Sequence, residues 1–331
     1  MKKIAYLLIL SALLAVSLTA CKQSGITRPT EESSMQSAVA EQSNKESSQE
    51  NKPMTESSDQ SDYEESSQTS PTSQPEFIPP IQTEISDYQS IVVNDKCRLL
   101  LYTGTENRII VPDKVTVDGK EYETEIGAGC FKEKEIISLT LPDNVTEIPE
   151  SMCENCKQLE EITFFNVQSI GKNAFWQCEN LKFRLDDING GDWTKLKKVG
   201  ECAFGFSGLY GKVTVRPDME LEDGSFQVCL HVQEVEIQNG ITEIPNRLFA
   251  ENSALEKITL PDTLTKINPY AFSENIVKNI IIPQSVTEIG SHAITTDKVA
   301  GGKYTGIILG YKGSAAEAYA KENNIVFSPL N

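Results

Sequence analysis

The stretch Leu255-Glu256-Lys257-Ile258-Thr259-Leu260-Pro261 is followed by Leu264-Thr265-Lys266-Ile267 and then by Ala271-Phe272. The first segment has the pattern L-x-x-I-x-L, and its last three residues before the proline alternate apolar, polar and apolar, as in a half-buried β-strand. The proline ends that strand, a second short apolar segment follows, and a small residue with an aromatic ring closes the unit. This order of residue types recurs along much of the chain.

Seven other segments repeat the end of this unit: Ile126–Phe131, Ile148–Cys153, Ile170–Phe175, Val199–Phe204, Leu221–Phe226, Ile244–Phe249 and Ile289–Ile294. Their first residues, taken with Ile267, are separated by 22, 22, 29, 22, 23, 23 and 22 positions. A period of this length with one strand per unit is typical of a leucine-rich-repeat solenoid, whose units bury their apolar edges by stacking. The sequence therefore predicts a mainly β, α/β-type repeat solenoid of about eight 22–23-residue units, with a parallel β-sheet on one face.

The first twenty residues have the composition of an export signal. Two lysines precede an apolar run from Ile4 to Val16, which is shorter than a membrane-spanning helix requires. Leu18-Thr19-Ala20-Cys21 resembles the lipobox of bacterial lipoproteins, in which the cysteine becomes the lipidated first residue. We predict a lipoprotein signal peptide over 1–20 and a lipid anchor on Cys21. The alternative is an ordinary signal peptide with a chance cysteine.

Residues 21–80 are rich in Ser, Glu and Gln and contain few large apolar side chains. Such a segment cannot offset the entropy lost on ordering, so we expect a disordered spacer with a reach of about 40 Å. The other predicted parts are an N-terminal β cap leading into the first repeat over 81–117, leucine-rich repeats over 118–300, and a C-terminal helical cap over 301–331.

The two predicted caps have local sequence signals. A terminal repeat lacks one neighbour, so an atypical element must cover its apolar edge. Asn94-Asp95 and Val117-Asp118-Gly119-Lys120 predict tight turns between strands near the N-terminus. Ser314 and Glu317 have the spacing of a capping box, which predicts a helix that continues to about Asn323.

The net charge of −18 is unevenly distributed. Removing the +2 of the signal segment and the −7 of residues 22–80 leaves −13 for the remainder. An acidic domain without a basic stripe argues against nucleic-acid binding and against docking on anionic lipid. We therefore expect membrane contact through the lipid anchor only. We also expect the protein to be a monomer.

Three longer phrases resemble a known family: Leu260-Pro261-x-x-Leu264-Thr265-x-Ile267-x-x-x-Ala271-Phe272, Ile282-Pro283-x-x-Val286-Thr287-x-Ile289-Gly290 and Ile170-Gly171-x-x-Ala174-Phe175-x-x-Cys178-x-x-Leu181. They are similar to the BspA-like leucine-rich repeats of bacterial surface proteins, and the resemblance covers roughly Leu99 to Phe327. It implies display at the cell surface and binding, in some members to host matrix proteins or other bacteria. It implies neither an enzyme nor any particular binding residue.

Residues between the apolar strand positions are predicted to face outward in columns that cross the sheet. One apolar set is Tyr210, Val213 and Val215, which we expect to face inward. The candidate binding residues on the outward face are Thr140, Glu161, Thr163, Lys212, Thr214, Glu234, Glu236, Lys257 and Thr259. Repeat proteins commonly bind through this face, yet threonines and mixed charges also suit any solvated strand. The columns contain no aromatic cluster to anchor an interface.

The closing aromatic residues are predicted to form an interior stack opposite the sheet: Phe131, Phe175, Phe204, Phe226, Phe249 and Phe272. Cys153 and Ile294 take this position in two other units. Three residues further on, a second slot holds Cys156, Cys178, Ser207, Cys229, Asn252 and Asn275. Small residues that bond the backbone suit a buried turn, so we interpret the thiols as structural. A lone C-x-x-C is a weak signal for a metal or redox site, and we predict no metal and no cofactor.

The interval of 29 residues contains an insertion over about 186–195. Insertions into a solenoid often serve binding, so Trp193 is our candidate for an exposed aromatic contact. Asp187, Asn189 and Asp192 partly resemble a calcium loop, but the bidentate glutamate is missing.

These features together predict a lipid-anchored, non-enzymatic protein outside the cell that binds a macromolecule, either a protein or a glycan, in an adhesion-like role. The alternatives are a hydrolase acting on an extracellular polymer and a purely structural envelope protein. Against a hydrolase, the chain has two histidines, His231 and His292, far apart in repeat register, and no G-x-S-x-G or H-E-x-x-H motif. We predict no catalytic residue.

Overall fold

The computed structural model describes residues 78–294 and 305–331. The predicted signal peptide, Cys21 and nearly all of the spacer lie outside the described residues. Within them the chain is a mainly β parallel solenoid with little helix, as the repeat predicts.

The first side of the solenoid carries the predicted parallel sheet, which we call the principal sheet. Its strands are Ile81–Gln82, Arg108–Ile110, Ser138–Thr140, Glu161–Thr163, Lys182–Phe183, Gly208–Val215, His231–Ile237, Lys257–Thr259, Asn279–Ile281, Ile307–Gly310 and Val326–Pro329. They form three hydrogen-bonded groups of four, four and three strands, and every pair within a group is parallel. Because Ile109 pairs with Leu139, the stacking begins before the predicted repeat boundary at residue 118.

A second side carries very short parallel strands, which we call the lateral sheet. They are Glu147–Ile148, Ser169–Ile170, Lys198–Val199, Glu220–Leu221, Glu243–Ile244, Lys266–Ile267 and Glu288–Ile289. Each strand directs an apolar residue inward and a polar residue outward, and Lys198 forms an ion pair with Glu220 at 2.8 Å. Sequence reasoning found the apolar residues but not these strands, because two residues are too few to show alternation.

A four-stranded mixed sheet lies near the start of the described chain. Its strands, in chain order, are Tyr88–Val93, Lys96–Tyr102, Lys114–Val117 and Lys120–Ile126. Asp118 and Gly119 have φ angles of 50° and 79° and join an antiparallel pair, so the predicted hairpin is confirmed. The capping role of this sheet stays a prediction.

Helical structure is confined to short segments in the described residues. They are the 3-10 helices Ile85–Asp87, Leu185–Gly191 and Trp193–Lys195 and the α-helix Ala315–Glu322. The Ser314 hydroxyl accepts the Glu317 amide at 3.5 Å, while the Glu317 carboxylate accepts the Gly313 amide at 2.6 Å. The helix therefore begins close to the predicted residue. Its role as a cap of the solenoid stays a prediction. None of the described helices is long and apolar enough to cross a membrane.

Five of the six closing phenylalanines form the predicted interior stack, whereas the ring of Phe131 packs against Tyr88 and Tyr102. Successive rings from Phe175 through Phe204, Phe226 and Phe249 to Phe272 lie 5.5 to 5.9 Å apart, with interplanar angles of 1 to 14°. All are buried. Because each ring contributes about 1.5–3 kcal/mol of burial, this stack is a main source of the cohesion between repeats.

The predicted inward orientation of one strand residue, Tyr210, is wrong. Tyr210 is 43% exposed, and its neighbour Leu209 is fully buried instead. The register shifts at this point: Gly211 pairs with Val232 and Lys212 with Glu234, so the extra residue of the bulge lies on the partner strand His231–Ile237. The strand Gly208–Val215 therefore continues its alternation from Val213 back to Leu209 and directs Tyr210 outward. Gly211 has a φ of +81°, a conformation that favours glycine.

Candidate binding surface

The principal sheet brings most of the predicted binding residues into two rows. In one row Lys212 is paired with Glu234, which is paired with Lys257. In the other row Thr214, Glu236 and Thr259 are paired across the same three strands. Thr140 pairs with Thr163, and Ser138 pairs with Glu161, in the N-terminal group of strands. The strand register predicted from the repeat is therefore confirmed.

The solvent accessibility of the predicted binding residues varies more than the sequence analysis predicts. Glu161, Thr163, Lys257 and Thr259 are exposed, whereas Thr140, Lys212, Glu234 and Glu236 are half-buried. Thr214 is buried, so its prediction as an outward contact is wrong. The inserted helix Leu185–Gly191 packs against the strand that holds Thr214.

The charged side chains on this face form ion pairs with one another. Lys212 forms ion pairs with Glu236 at 2.5 Å and with Glu234 at 4.0 Å, and Lys257 pairs with Glu234 at 2.8 Å. The hydrogen bond from Lys212 to Glu236 raises the pKa of Lys212 above its ordinary value. Two positive and two negative groups leave this part of the face without net charge, so a partner would meet donors and acceptors here rather than a strong field.

The sheet face becomes apolar towards its C-terminal end. Ile281 is 55% exposed and pairs with Leu309, and Ile307 pairs with Val326, which is 62% exposed. In the repeat register Ile281 corresponds to Thr259, and Ile307 and Val326 follow Asn279, which corresponds to Lys257. Sequence reasoning missed this patch, because Ile307 and Val326 lie beyond the regular repeats.

Trp193 is less accessible than predicted. It is half-buried and packs against the core, and the guanidinium carbon of Arg216 lies 4.2 Å from its ring centroid. Arg216 also donates to the carbonyl oxygens of Trp193, Thr194 and Leu196 at 3.3, 3.1 and 2.6 Å. Trp193 is therefore only partly exposed and helps fix the insertion, while its role as an aromatic contact for a partner stays a prediction.

The rest of the insertion is held by backbone contacts with the preceding repeat. The amide group of Asn189 is buried and forms two 2.8 Å hydrogen bonds with the backbone of Val167. Asp187 accepts the Arg184 amide at 3.1 Å, and Asp192 accepts the Thr194 hydroxyl at 2.6 Å. Over 78–294 and 305–331 there is no group of three His, Cys, Asp or Glu side chains arranged to hold a metal ion.

The cysteine slot has the structural role predicted for it. The thiols of Cys156, Cys178 and Cys229 donate to the carbonyl oxygens of Phe131, Cys153 and Phe204, at 2.9, 3.0 and 3.6 Å. Asn275 makes the same contact with Phe249 O at 3.0 Å. These four slot residues thus bond the closing residue of the preceding repeat, whereas Ser207 bonds Phe204 in its own unit and Asn252 accepts the backbone amide of Cys229.

The seven cysteines of the described chain are buried, and none of them forms a disulfide bond. Burial raises the pKa of Cys130 to about 12 and raises that of Cys178 well above its ordinary value. In the C-x-x-C pair, burial raises the pKa of Cys153, while the hydrogen bond from Cys153 lowers that of Cys156. Since the thiolate is the reactive form, burial and high pKa make most of these groups chemically inert.

Several solved structures are similar to this chain. A leucine-rich cell surface protein from Faecalibacterium prausnitzii is 27% identical, with a TM-score of 0.41, over 66% of this chain and 52% of that one. A leucine-rich repeat protein from Bacteroides ovatus is 22% identical, with a TM-score of 0.54, over 75% of this chain and 67% of that one. The T. pallidum leucine-rich repeat protein is 19% identical, with a TM-score of 0.47, over 57% of this chain and 86% of that one.

The chain spans about half the length of the F. prausnitzii protein. The likeness to the B. ovatus protein supports the repeat fold. Among curated proteins, none matches. The model of the BspA type leucine-rich repeat region matches six copies, over residues 124–205 and 192–299. These matches cover more than half of the 331 residues. The chain therefore belongs to the BspA-type leucine-rich-repeat family.

Proposed function

We propose that this protein is a lipid-anchored binding protein displayed outside the bacterial cell, and that its principal sheet recognises a macromolecule, either a protein or a glycan. The observation that carries the proposal is the shared register of outward side chains across the principal sheet, from Thr140 and Thr163 to Lys257 and Thr259. Aligned strands give a rigid, extended surface, which suits a large partner better than a small one.

The anchoring part of the proposal rests on sequence. The apolar leader, the lipobox-like segment before Cys21 and the polar spacer together fit an exported lipoprotein. A spacer with a reach of about 40 Å would hold the repeats away from the membrane surface. Membership of the BspA-type family supports the same location.

The proposal includes no catalytic step. A charge of −13 over residues 81–331 disfavours nucleic acid and anionic lipid as partners, which leaves proteins and uncharged or basic polymers. The ion-paired residues Lys212, Glu234 and Lys257 can re-pair with a partner's polar groups at little cost because they are at least partly exposed.

A binding screen with full-chain protein, purified in detergent, against matrix proteins and surface glycans would test this function. Glu234→Arg should weaken binding by about tenfold or more, because it places a bulky, like-charged group beside Lys212 and Lys257. The matched control is Glu220→Arg, since Glu220 has the same kind of 2.8 Å lysine pair on the lateral sheet. Equal loss in both variants, or turnover of a glycan, would count against the proposal.

A further inference from the structure

Phe165 breaks the repeat rule at a surface position. The residue after the last apolar strand position is proline in four other units, namely Pro112, Pro142, Pro261 and Pro283. In its own unit Phe165 takes that place, and its side chain is 43% exposed. A turn does not require an aromatic ring there, and departures from local rules are most common at functional positions.

The insertion holds Phe165 in place. Lys195 Nζ donates to the carbonyl oxygen of Phe165 at 3.1 Å and to the side-chain oxygen of Asn166 at 3.0 Å. The Phe165 ring packs against Gly190, where even a Cβ would lie only 3.4 Å from the ring. The segment is therefore anchored on both sides of the ring, which would lower the entropy lost when a partner binds it.

Phe165 borders a groove of about 480 Å³ at the N-terminal end of the principal sheet. The floor includes Ile110, Leu141 and Pro142 and is largely apolar. Asp113 and Asp143 lie on its rim and are exposed.

The rim of this groove is negatively charged. Lys114 also lines the groove, but it is ion-paired with Glu121 at 2.9 Å. Among the described residues, no ion pair involves Asp113 or Asp143. The open carboxylates therefore favour a cationic partner over a neutral or anionic one.

We propose that this groove binds a basic, extended protein segment. This inference rests on the proposed function and specifies the class of partner that the protein would bind. An arginine of that segment would stack on the Phe165 ring and donate to the carboxylates of Asp113 and Asp143. Its aliphatic stem and the neighbouring apolar side chains would cover the floor. The groove adjoins Thr140, so the segment would continue onto the principal sheet.

Synthetic peptides of alternating Leu and Arg test the proposal, with Gln and Glu versions of the same peptides for comparison. Fluorescence polarisation with the full chain in detergent should show the Arg peptide binding at least about tenfold more tightly than the Gln peptide, and more weakly at high salt. Asp143→Asn and Phe165→Leu should each weaken binding by about fivefold or more. Both positions are exposed, and an unchanged melting temperature would show that the fold is intact.

The matched control is Asp262→Asn. Asp262 follows Leu260-Pro261 as Asp143 follows Leu141-Pro142, and it lines a groove of about 500 Å³ without an aromatic residue. This variant should bind the Arg peptide as the wild type does. Equal weakening by Asp262→Asn would mean general charge attraction and would overturn the proposal, as would displacement of the peptide by a neutral oligosaccharide.

The experiments can overturn the groove proposal without overturning the proposed function. If the peptides do not bind while a screened partner still depends on Glu234, the groove proposal alone is overturned. If neither the peptides nor any screened macromolecule binds, the proposed function is overturned as well.

Discussion

The ring of Trp176 lies directly over Gly205, one repeat further along the chain. A Cβ built on Gly205 would lie 2.2 Å from the Trp176 ring. Trp176 is buried, and its ring also meets Phe206 edge-on at 5.1 Å. Other units have Gln227, Ala250 or Ser273 at the position of Gly205. The glycine is therefore required by the neighbouring tryptophan and not by the repeat itself.

Gly205→Ala should destabilise the fold by about 1–3 kcal/mol, because the new methyl group overlaps a buried ring. Guanidinium denaturation of the wild type and the variant would measure the change in the free energy of unfolding. A change within about 0.5 kcal/mol would show that the tryptophan can shift.

The double variant Trp176→Ala/Gly205→Ala provides the control for this contact. Each change alone should destabilise, but the alanine at 205 should cost little once the ring is absent. The two effects should therefore be non-additive by about 1 kcal/mol or more. Additive effects would show that Gly205 is needed for another reason.

The sequence predicted the features that repeat and missed those that join distant units. The phenylalanine stack and the hydrogen-bonding slot at Cys156 and Asn275 follow from the period, because each unit repeats the same packing problem. The stacking of Arg216 on Trp193 joins residues 23 positions apart across an insertion, where no period applies. The β-bulge opposite Gly211 put Tyr210 on the outward side of its strand, although the glycine itself was a visible local signal.

The candidate binding surface was likewise predictable only in the features that follow from the repeat. Register placed Lys212, Glu234 and Lys257 in one row, but only three-dimensional packing showed that Thr214 is buried. Phe165 was visible in the sequence as an aromatic residue at a proline position. Its exposure depends on Gly190 and Lys195 in the insertion, so it could not be predicted from the repeat alone.

Arg216→Ala should loosen the insertion. The side chain donates to three carbonyl oxygens and stacks on Trp193, so its loss leaves those carbonyls to find water and uncovers the ring. We expect a destabilisation of about 2–4 kcal/mol and faster amide hydrogen exchange in 185–196. Arg216→Lys should not restore the wild-type behaviour, because an ammonium cannot reproduce the planar fork of donors.

Arg247→Ala is the matched control for that change. Arg247 also stacks on an aromatic ring, with its guanidinium carbon 5.0 Å from the Tyr270 centroid, but it is exposed. Its removal should cost about 1 kcal/mol or less and leave exchange in 185–196 unchanged. If both variants had the same effect, stacking alone would explain the role of Arg216.

Asn275→Ala should remove two buried hydrogen bonds at once. Its side chain accepts the Asn252 amide at 2.9 Å and donates to the carbonyl of Phe249 at 3.0 Å. Leaving both backbone groups unpaired in the core should cost about 2–4 kcal/mol in chemical denaturation. Cys178→Ser keeps a donor for the carbonyl of Cys153 and should cost clearly less; equal costs would contradict this account of the slot.

Stability should fall at alkaline pH through Cys130. Burial raises the pKa of this thiol to about 12 from its ordinary 9.0, so the folded chain keeps the proton where the unfolded chain has released it. The stabilising contribution is complete below pH 9.0 and is lost as the pH rises towards 12. Guanidinium unfolding under reducing conditions, from about pH 8 to about pH 11, should show the midpoint falling less steeply in Cys130→Ser, because serine does not titrate there. Identical slopes in the wild type and the variant would show that other groups, such as the lysines, cause the alkaline loss.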